Sequence, residues 1–247
     1  VGQRKDLLDD LMERIRGLEQ ADRNSQWTSA VSSGFAALDR LLPARGLLGG
    51  TLVEWLSEGV GTGGMTLALA VAGRLTRTEG NLVIVDAERT FFPPAAAGLG
   101  VPLERTVVVQ PGDERSQWWA LEQALLCGAV TATVGRLDSA NERVLRRLLL
   151  AAQKGGGLGF LLRPAAHARI AFCPGIRFFV GQAFQPDQKD SQPGKADLRA
   201  GWRLQVELLA CRGGVAGGKA VVELGDESND VSVAAELAGA AAAQRKA

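Results

Sequence analysis

Gly59-Val-Gly-Thr-Gly-Gly-Met-Thr66 follows an apolar run, precedes an amphipathic one, and matches the phosphate-loop pattern G-x-x-x-x-G-K-[ST] everywhere except at Met65, which replaces the lysine. Such a loop works because backbone N–H groups and a helix N-terminus surround phosphate oxygens, the lysine reaches the β- and γ-phosphates, and the following hydroxyl ligates Mg²⁺. Here Gly59, Gly61, Gly63 and Gly64, with Thr62 and Thr66, keep the cradle and the hydroxyl, and the cation is gone. A unit charge about 4 Å from phosphate is worth roughly 4 kcal/mol at an effective dielectric near 20, so its loss costs on the order of a thousandfold in binding. Met65 also offers nothing to transition-state charge. The loop then either binds a phosphate group weakly through its backbone or serves the fold as an inherited turn.

Other chemistries find little support. His167 is the one histidine, which excludes a histidine-based metal cluster and argues against Ser/His catalysis. No G-x-S-x-G elbow is present. Cys127, Cys173 and Cys211 are odd in number, widely separated and outside any C-x-x-C pair, so neither a disulfide framework nor a zinc site is expected. With 28 basic against 27 acidic residues, the net charge of +1 argues against a broadly basic surface for nucleic acid. The start of the chain lacks an apolar leader and no run approaches a membrane span, so the expectation is a soluble, cytoplasmic protein without membrane contact.

The elements that must hold the loop follow from periodicity. Thr51–Leu56 reads as a strand, Thr66–Thr78 as a helix and Leu82–Asp86 as a strand buried on both faces, which makes a βαβ unit around the glycines. The alternation continues with strand Thr106–Gln110, helix Ser116–Cys127, strand Ala129–Val134, helix Ser139–Lys154 with a basic Arg143/Arg146/Arg147 face, and strand Gly159–Arg163. This pattern predicts an α/β fold with a mostly parallel twisted sheet flanked by helices, ligands binding at the strands' carboxyl ends. Strands Arg177–Gln182, Trp202–Cys211 and Lys219–Leu224 follow, the last two as a hairpin across Gly213–Gly218, and residues 183–200 read as a loop. Leu7, Leu8, Leu11, Ile15 and Leu18 form one helical stripe within residues 4–20, suited either to its own domain or to a neighbouring subunit. The division expected is an amphipathic helix and linker at 1–30, a core at 31–225 and an alanine-rich tail at 226–247. Trp118 and Trp119 stand side by side, so one faces the core and the other is a candidate interface anchor or lies under a loop.

The ordered set Ser33-Gly-Phe-Ala-Ala-Leu-Asp39, the glycine loop, Val85-Asp-Ala-Glu88 and the strand after Gly128-Ala-Val130 resembles the RecA family of recombinase ATPases over about residues 31–225. The degenerate loop, Trp118-Trp-Ala-Leu-Glu-Gln-Ala-Leu-Leu-Cys-Gly-Ala-Val130, and Arg147-Leu-Leu-Leu-Ala-Ala-Gln153 before Leu161-Leu-Arg-Pro164 look most like the ImuA family within it. The resemblance implies a RecA-like core with C-terminal antiparallel strands. By the same resemblance, Glu88 matches the glutamate that activates the attacking water. The strand Val130–Arg136 should end in an acid that orders the Mg²⁺ shell, yet Gly135 and Arg136 stand there. Asp138 lies two residues on and reads better as part of an Asp138-Ser139 helix cap. Arg163 occupies the place of a γ-phosphate-sensing glutamine.

Three altered positions together imply an abandoned ATPase that requires no cofactor, ATP/Mg binding remaining open. The family's DNA loops correspond to residues 164–176 and 183–200, which carry His167, Arg169, Lys189, Lys195 and Arg199 with almost no aromatic partners, so DNA contact is expected to be weak or indirect. The implied role is a non-catalytic or nearly inactive accessory factor in SOS-induced translesion synthesis. Its implied partners are an ImuB-like relative of Y-family polymerases, RecA, an error-prone replicative-type polymerase, and a further copy of itself through the N-terminal helix. A DNA-stimulated recombinase-type ATPase and an SOS cell-division inhibitor stay open as alternatives.

Overall fold

In the computed structural model, which describes residues 30–59, 61–169, 172–184 and 202–224, short apolar runs lie side by side in one sheet. The chain runs α1 (Ala36–Leu41), β1 (Leu52–Ser57), α2 (Gly64–Leu75), β2 (Asn81–Val85), α3 (Pro93–Gly98), β3 (Thr106–Val109), α4 (Glu114–Leu126), β4 (Val130–Arg136), α5 (Glu142–Gly155), β5 (Leu158–Pro164), β6 (Gly175–Phe184), β7 (Trp202–Cys211) and β8 (Lys219–Leu224). The eight strands are ordered β3-β2-β4-β5-β1-β6-β7-β8. The first six run parallel; β7 and β8 add antiparallel partners at one side.

Strand alternation divides the interior into two layers. Val53, Trp55, Ile84, Val134, Phe160 and Phe178 point to the face covered by α1 and α2, where Trp55 and Phe178 stack with ring centroids 5.0 Å apart. Leu52, Val83, Val85 and Leu161 point to the opposite face, against Leu121 and Leu125 of α4 and Leu145 and Leu148 of α5. Fully burying each such side chain contributes roughly 1.5–3 kcal/mol. β1 lies inside the sheet, with β5 and β6 on its two edges. The chain leaves it across the sheet to β2, so the loop between β1 and α2 sits at a crossover, at the carboxyl ends of the parallel strands.

Several boundaries differ from expectation for local reasons. The helix placed at Ser139 begins at Glu142, because Asn141 is its cap: its side chain accepts from Val144 N–H at 3.1 Å. Asp138 is therefore no cap. Asp113 caps α4 by accepting from Ser116 N–H, which starts that helix two residues before Ser116 and holds the Asp113 carboxyl below the ordinary aspartate range. The short α3, opened by a Pro-Pro pair, carries too little periodicity to be seen beforehand. Among the described residues no helix is long and apolar enough to cross a membrane. The amphipathic segment 4–20, most of the 183–200 loop and the tail 226–247 lie outside the described residues.

Candidate functional site

The glycine loop joins the end of β1 to α2. Gly61 and Gly63 adopt φ of 83° and 89°, a left-handed backbone that glycine reaches without strain. Gly63 is also pressed against β7, where a Cβ would lie 2.3 Å from Leu204 Cδ2. Thr62 Oγ1 donates to Gly59 C=O at 2.9 Å, and Ser57 Oγ donates to the same oxygen at 3.3 Å. Among the described residues no side chain caps α2. Its amino end therefore presents backbone donors alone, as a phosphate cradle does.

Met65 does not extend over this cradle. It packs on the main core and lines a cavity of about 200 Å³ together with Thr66, Leu69, Glu88, Phe91, Leu99 and Arg136. A thioether prefers that apolar wall, whereas an ammonium would remain solvated. The loop just beyond β2 is held by Asp86, whose carboxylate accepts from the N–H groups of Thr90 and Phe91, each at 3.0 Å. That places Glu88 beside the cavity.

Arg136 closes β4 and points back across the site. Its Nε lies 3.3 Å from Glu88 Oε1 and its Nη1 lies 3.9 Å from Asp138 Oδ1. Gln117 Nε2, one turn into α4, donates to the Arg136 C=O at 2.6 Å. The position expected to bring a carboxylate to a metal shell thus brings a guanidinium, and that guanidinium holds the candidate base. Asp138, expected as a cap, joins the same charge cluster.

Arg163 stands apart from the cradle. Glu54, in the middle of β1, receives Arg163 Nη1 on Oε1 at 2.5 Å and Arg177 Nε and Nη2 on Oε2 at 2.7 Å. The Glu54 and Arg163 side chains are 0% exposed and that of Arg177 is 3% exposed. Pairing explains the placement, since Glu54 faces Arg177 on β6 and Leu161 on β5, with Arg163 two residues further on. Arg163 Nη2 also donates to Ala140 C=O at 2.6 Å and to His167 Nδ1 at 3.2 Å, while His167 Nε2–H donates to Asp138 C=O at 2.7 Å. Arg177 Nη2 donates to Phe172 C=O at 2.7 Å. The residue matched to a phosphate sensor is instead one of three charges in a buried ion cluster that ties β1, β5 and β6 to the turn at Ala165–Arg169. Sequence reasoning passed over Glu54 and Arg177, although each interrupts an apolar run and so signals a buried partner.

Arg169 ends the turn Ala165–Arg169, and Lys189, Lys195 and Arg199 lie outside the described residues. The basic face of α5 is largely neutralised. Arg146 bonds Glu142 at 2.6 Å and covers the Phe172 ring at 4.4 Å, and Arg147 pairs with Glu122 on α4. Trp118 packs against the α4/α5 core, and Trp119 is 60% exposed.

An α/β domain with a glycine loop between an inner parallel strand and the first long helix, and site residues at the ends of β2 and β4, defines the RecA-like class. The model of the RecA N-terminal domain matches residues 14–140. Protein RecA of Rhodopirellula baltica is 35% identical over 89 residues, 35% of this chain and 24% of that one, and protein RecA of Deinococcus radiodurans is 31% identical over 104 residues, 42% and 28% respectively. Protein ImuA of Caulobacter vibrioides is 32% identical over 204 residues, 77% of this chain and 82% of that protein. The chain belongs to the ImuA family of RecA-like proteins.

Proposed function

We propose that this protein is an accessory factor of DNA-damage-induced mutagenic repair, acting by binding an ImuB-like partner and helping to assemble an error-prone polymerase at lesions, with little or no ATP hydrolysis of its own. The ImuA-family membership supports the biological setting. The Glu88–Arg136 pair is the observation that carries the non-catalytic reading. A general base needs a free lone pair aimed at the attacking water, and one Glu88 oxygen is engaged by a guanidinium. The donor set of Met65, Arg136 and the buried Arg163 does not fit a magnesium–nucleotide complex poised for hydrolysis, because the cation over the phosphates and the acid that orders the metal shell are both replaced. Exposed Trp119, rigid and amphipathic, supports a partner-binding surface on α4.

The test is phosphate release with and without single-stranded DNA, native chain against Glu88→Gln. The expected result is the same background rate in both. Turnover that disappears in Glu88→Gln would establish the recombinase-type ATPase instead. Co-purification with the ImuB-like partner, repeated without residues 226–247, tests the assembly role; failure to retain the partner in both forms overturns it.

A further inference from the structure

β3 (Thr106–Val109) ends the sheet, paired on one side with β2 and on the other, among the described residues, with no strand. Natural sheets protect such edges with charges, prolines or bulges. The opposite edge strand, β8, carries Lys219 and Glu223, whereas Thr-Val-Val-Val runs beside β2 in unbroken register without a charge. Val107 is 55% exposed, Val108 38%, and Leu103, just upstream, 40%. Three of the eight large hydrophobic side chains exposed among the described residues thus gather at one short edge, which marks it as an interaction surface.

The backbone decides what fits there. Asp86 N–H donates to Val109 C=O at 2.9 Å, so Val109, and Val107 two residues earlier, direct their backbone groups to β2. Thr106, Val108 and Gln110 therefore direct theirs outward. Thr106 N–H is already taken by Leu103 C=O in the turn before the strand. The outward set is then Thr106 C=O, Val108 N–H and C=O, and Gln110 N–H, and it is symmetric about Val108. A second copy of the same edge, antiparallel across a two-fold axis at Val108, matches every member of this set. Val108 exchanges both bonds with Val108 of the second copy, and each Gln110 N–H donates to the other's Thr106 C=O. The same register sets Val107 of each copy against Val109 of the other. It also brings the Arg105 end of each strand to the Asp113–Glu114 end of its counterpart, so opposite charges flank the apolar pairs.

We propose that two copies of this chain join edge to edge through β3, Val108 facing Val108, to form one continuous sheet. The pairing uses no residue of the Glu88–Arg136 site and does not depend on how that site is read.

Sedimentation velocity of the full-length chain over a roughly hundredfold range of concentration tests this, because so short a contact makes a reversible dimer. The native chain is expected to pass from monomer to dimer. Val108→Pro removes the outward N–H and spares the ladder to β2; Val108→Lys keeps the backbone free and sets a charge against its own copy. Each is expected to weaken the dimer about tenfold or more, with urea unfolding showing that the variant is folded. In a Cys127→Ser background, Val108→Cys is expected to give an intermolecular disulfide on mild oxidation. Val107→Cys, which faces position 109 rather than itself, is expected to cross-link at least about tenfold less. A native chain that is monomeric throughout overturns the proposal, as does a dimer that both Val108 variants leave unchanged, or equal cross-linking at positions 107 and 108. A monomeric native chain that loses its ImuB-like partner on Val108→Lys also overturns it, and assigns the edge to that partner.

Discussion

Glu54 is a single carboxylate between two buried guanidinium groups. The desolvation of all three is offset by their mutual attraction and by the carbonyls of Ala140 and Phe172. Removing the carboxylate leaves two like charges buried together. Glu54→Gln is therefore expected to cost about 3–5 kcal/mol, read as a lower urea midpoint at unchanged slope. The triple replacement Glu54→Leu/Arg163→Met/Arg177→Met removes every charge at once and is expected to unfold near the native midpoint. A Glu54→Gln chain as stable as the native one would rule out this account. Glu88 and Arg136 differ in kind, because both are partly solvated and such a pair contributes only about 0–1 kcal/mol. Its consequence is chemical: it engages Oε1 of the residue matched to a general base.

At the scale of elements, the glycine loop is not uniform. Gly63 combines a φ of 89° with a Cβ position already filled by Leu204 of β7, so the start of α2 is built to lie against that strand. Gly63→Ala is expected to destabilise by about 1–3 kcal/mol, since both the backbone and the Leu204 rotamer must shift. Gly59 has open space around its Cβ position and no positive φ, and Gly59→Ala is expected to change stability by less than about 0.5 kcal/mol. Equal costs at the two positions, measured by urea unfolding, would contradict the assignment of Gly63 to packing. The contrast bears on why a phosphate-loop shape persists without its lysine: part of that shape seats α2 on the sheet. Helix starts were the elements least legible in the chain. Asp138-Ser139 and Asn141 are all competent caps by type, and which one serves depends on where the chain turns after β4, with Leu137 N–H bonded to Leu162 C=O at 2.8 Å.

Across the whole molecule, the three cysteines report how the layers close. Burial pushes the Cys173 and Cys211 thiols above their ordinary range, while Cys127 is exposed at the end of α4. The thiolate is the reacting form, so a raised value leaves less of it at about pH 8. Cys127 is expected to be alkylated first at that pH, and its lead should narrow as pH rises through the raised values. Equal rates throughout would show that the sheet end near β6 and β7 is open. The mostly parallel sheet, the glycine loop at a strand's carboxyl end and the antiparallel β7–β8 hairpin were legible in the chain alone, because hydrophobic period, β-branched runs and glycine spacing are local signals, whereas the order of the strands was not. So was the loss of a cation at Met65 and of an acid at Arg136. What those losses put in their place was decided only by the tertiary structure. Arg136 turns to Glu88 because β2 and β4 are neighbours in the sheet, and Arg163 turns away from the cradle because β1 presents Glu54 to it from more than a hundred residues earlier. Glu54 and Arg177 each signal a buried partner by interrupting an apolar run, but which strands supply that partner has no local signature, since the pairing energy comes from shared burial that exists only once the sheet is assembled.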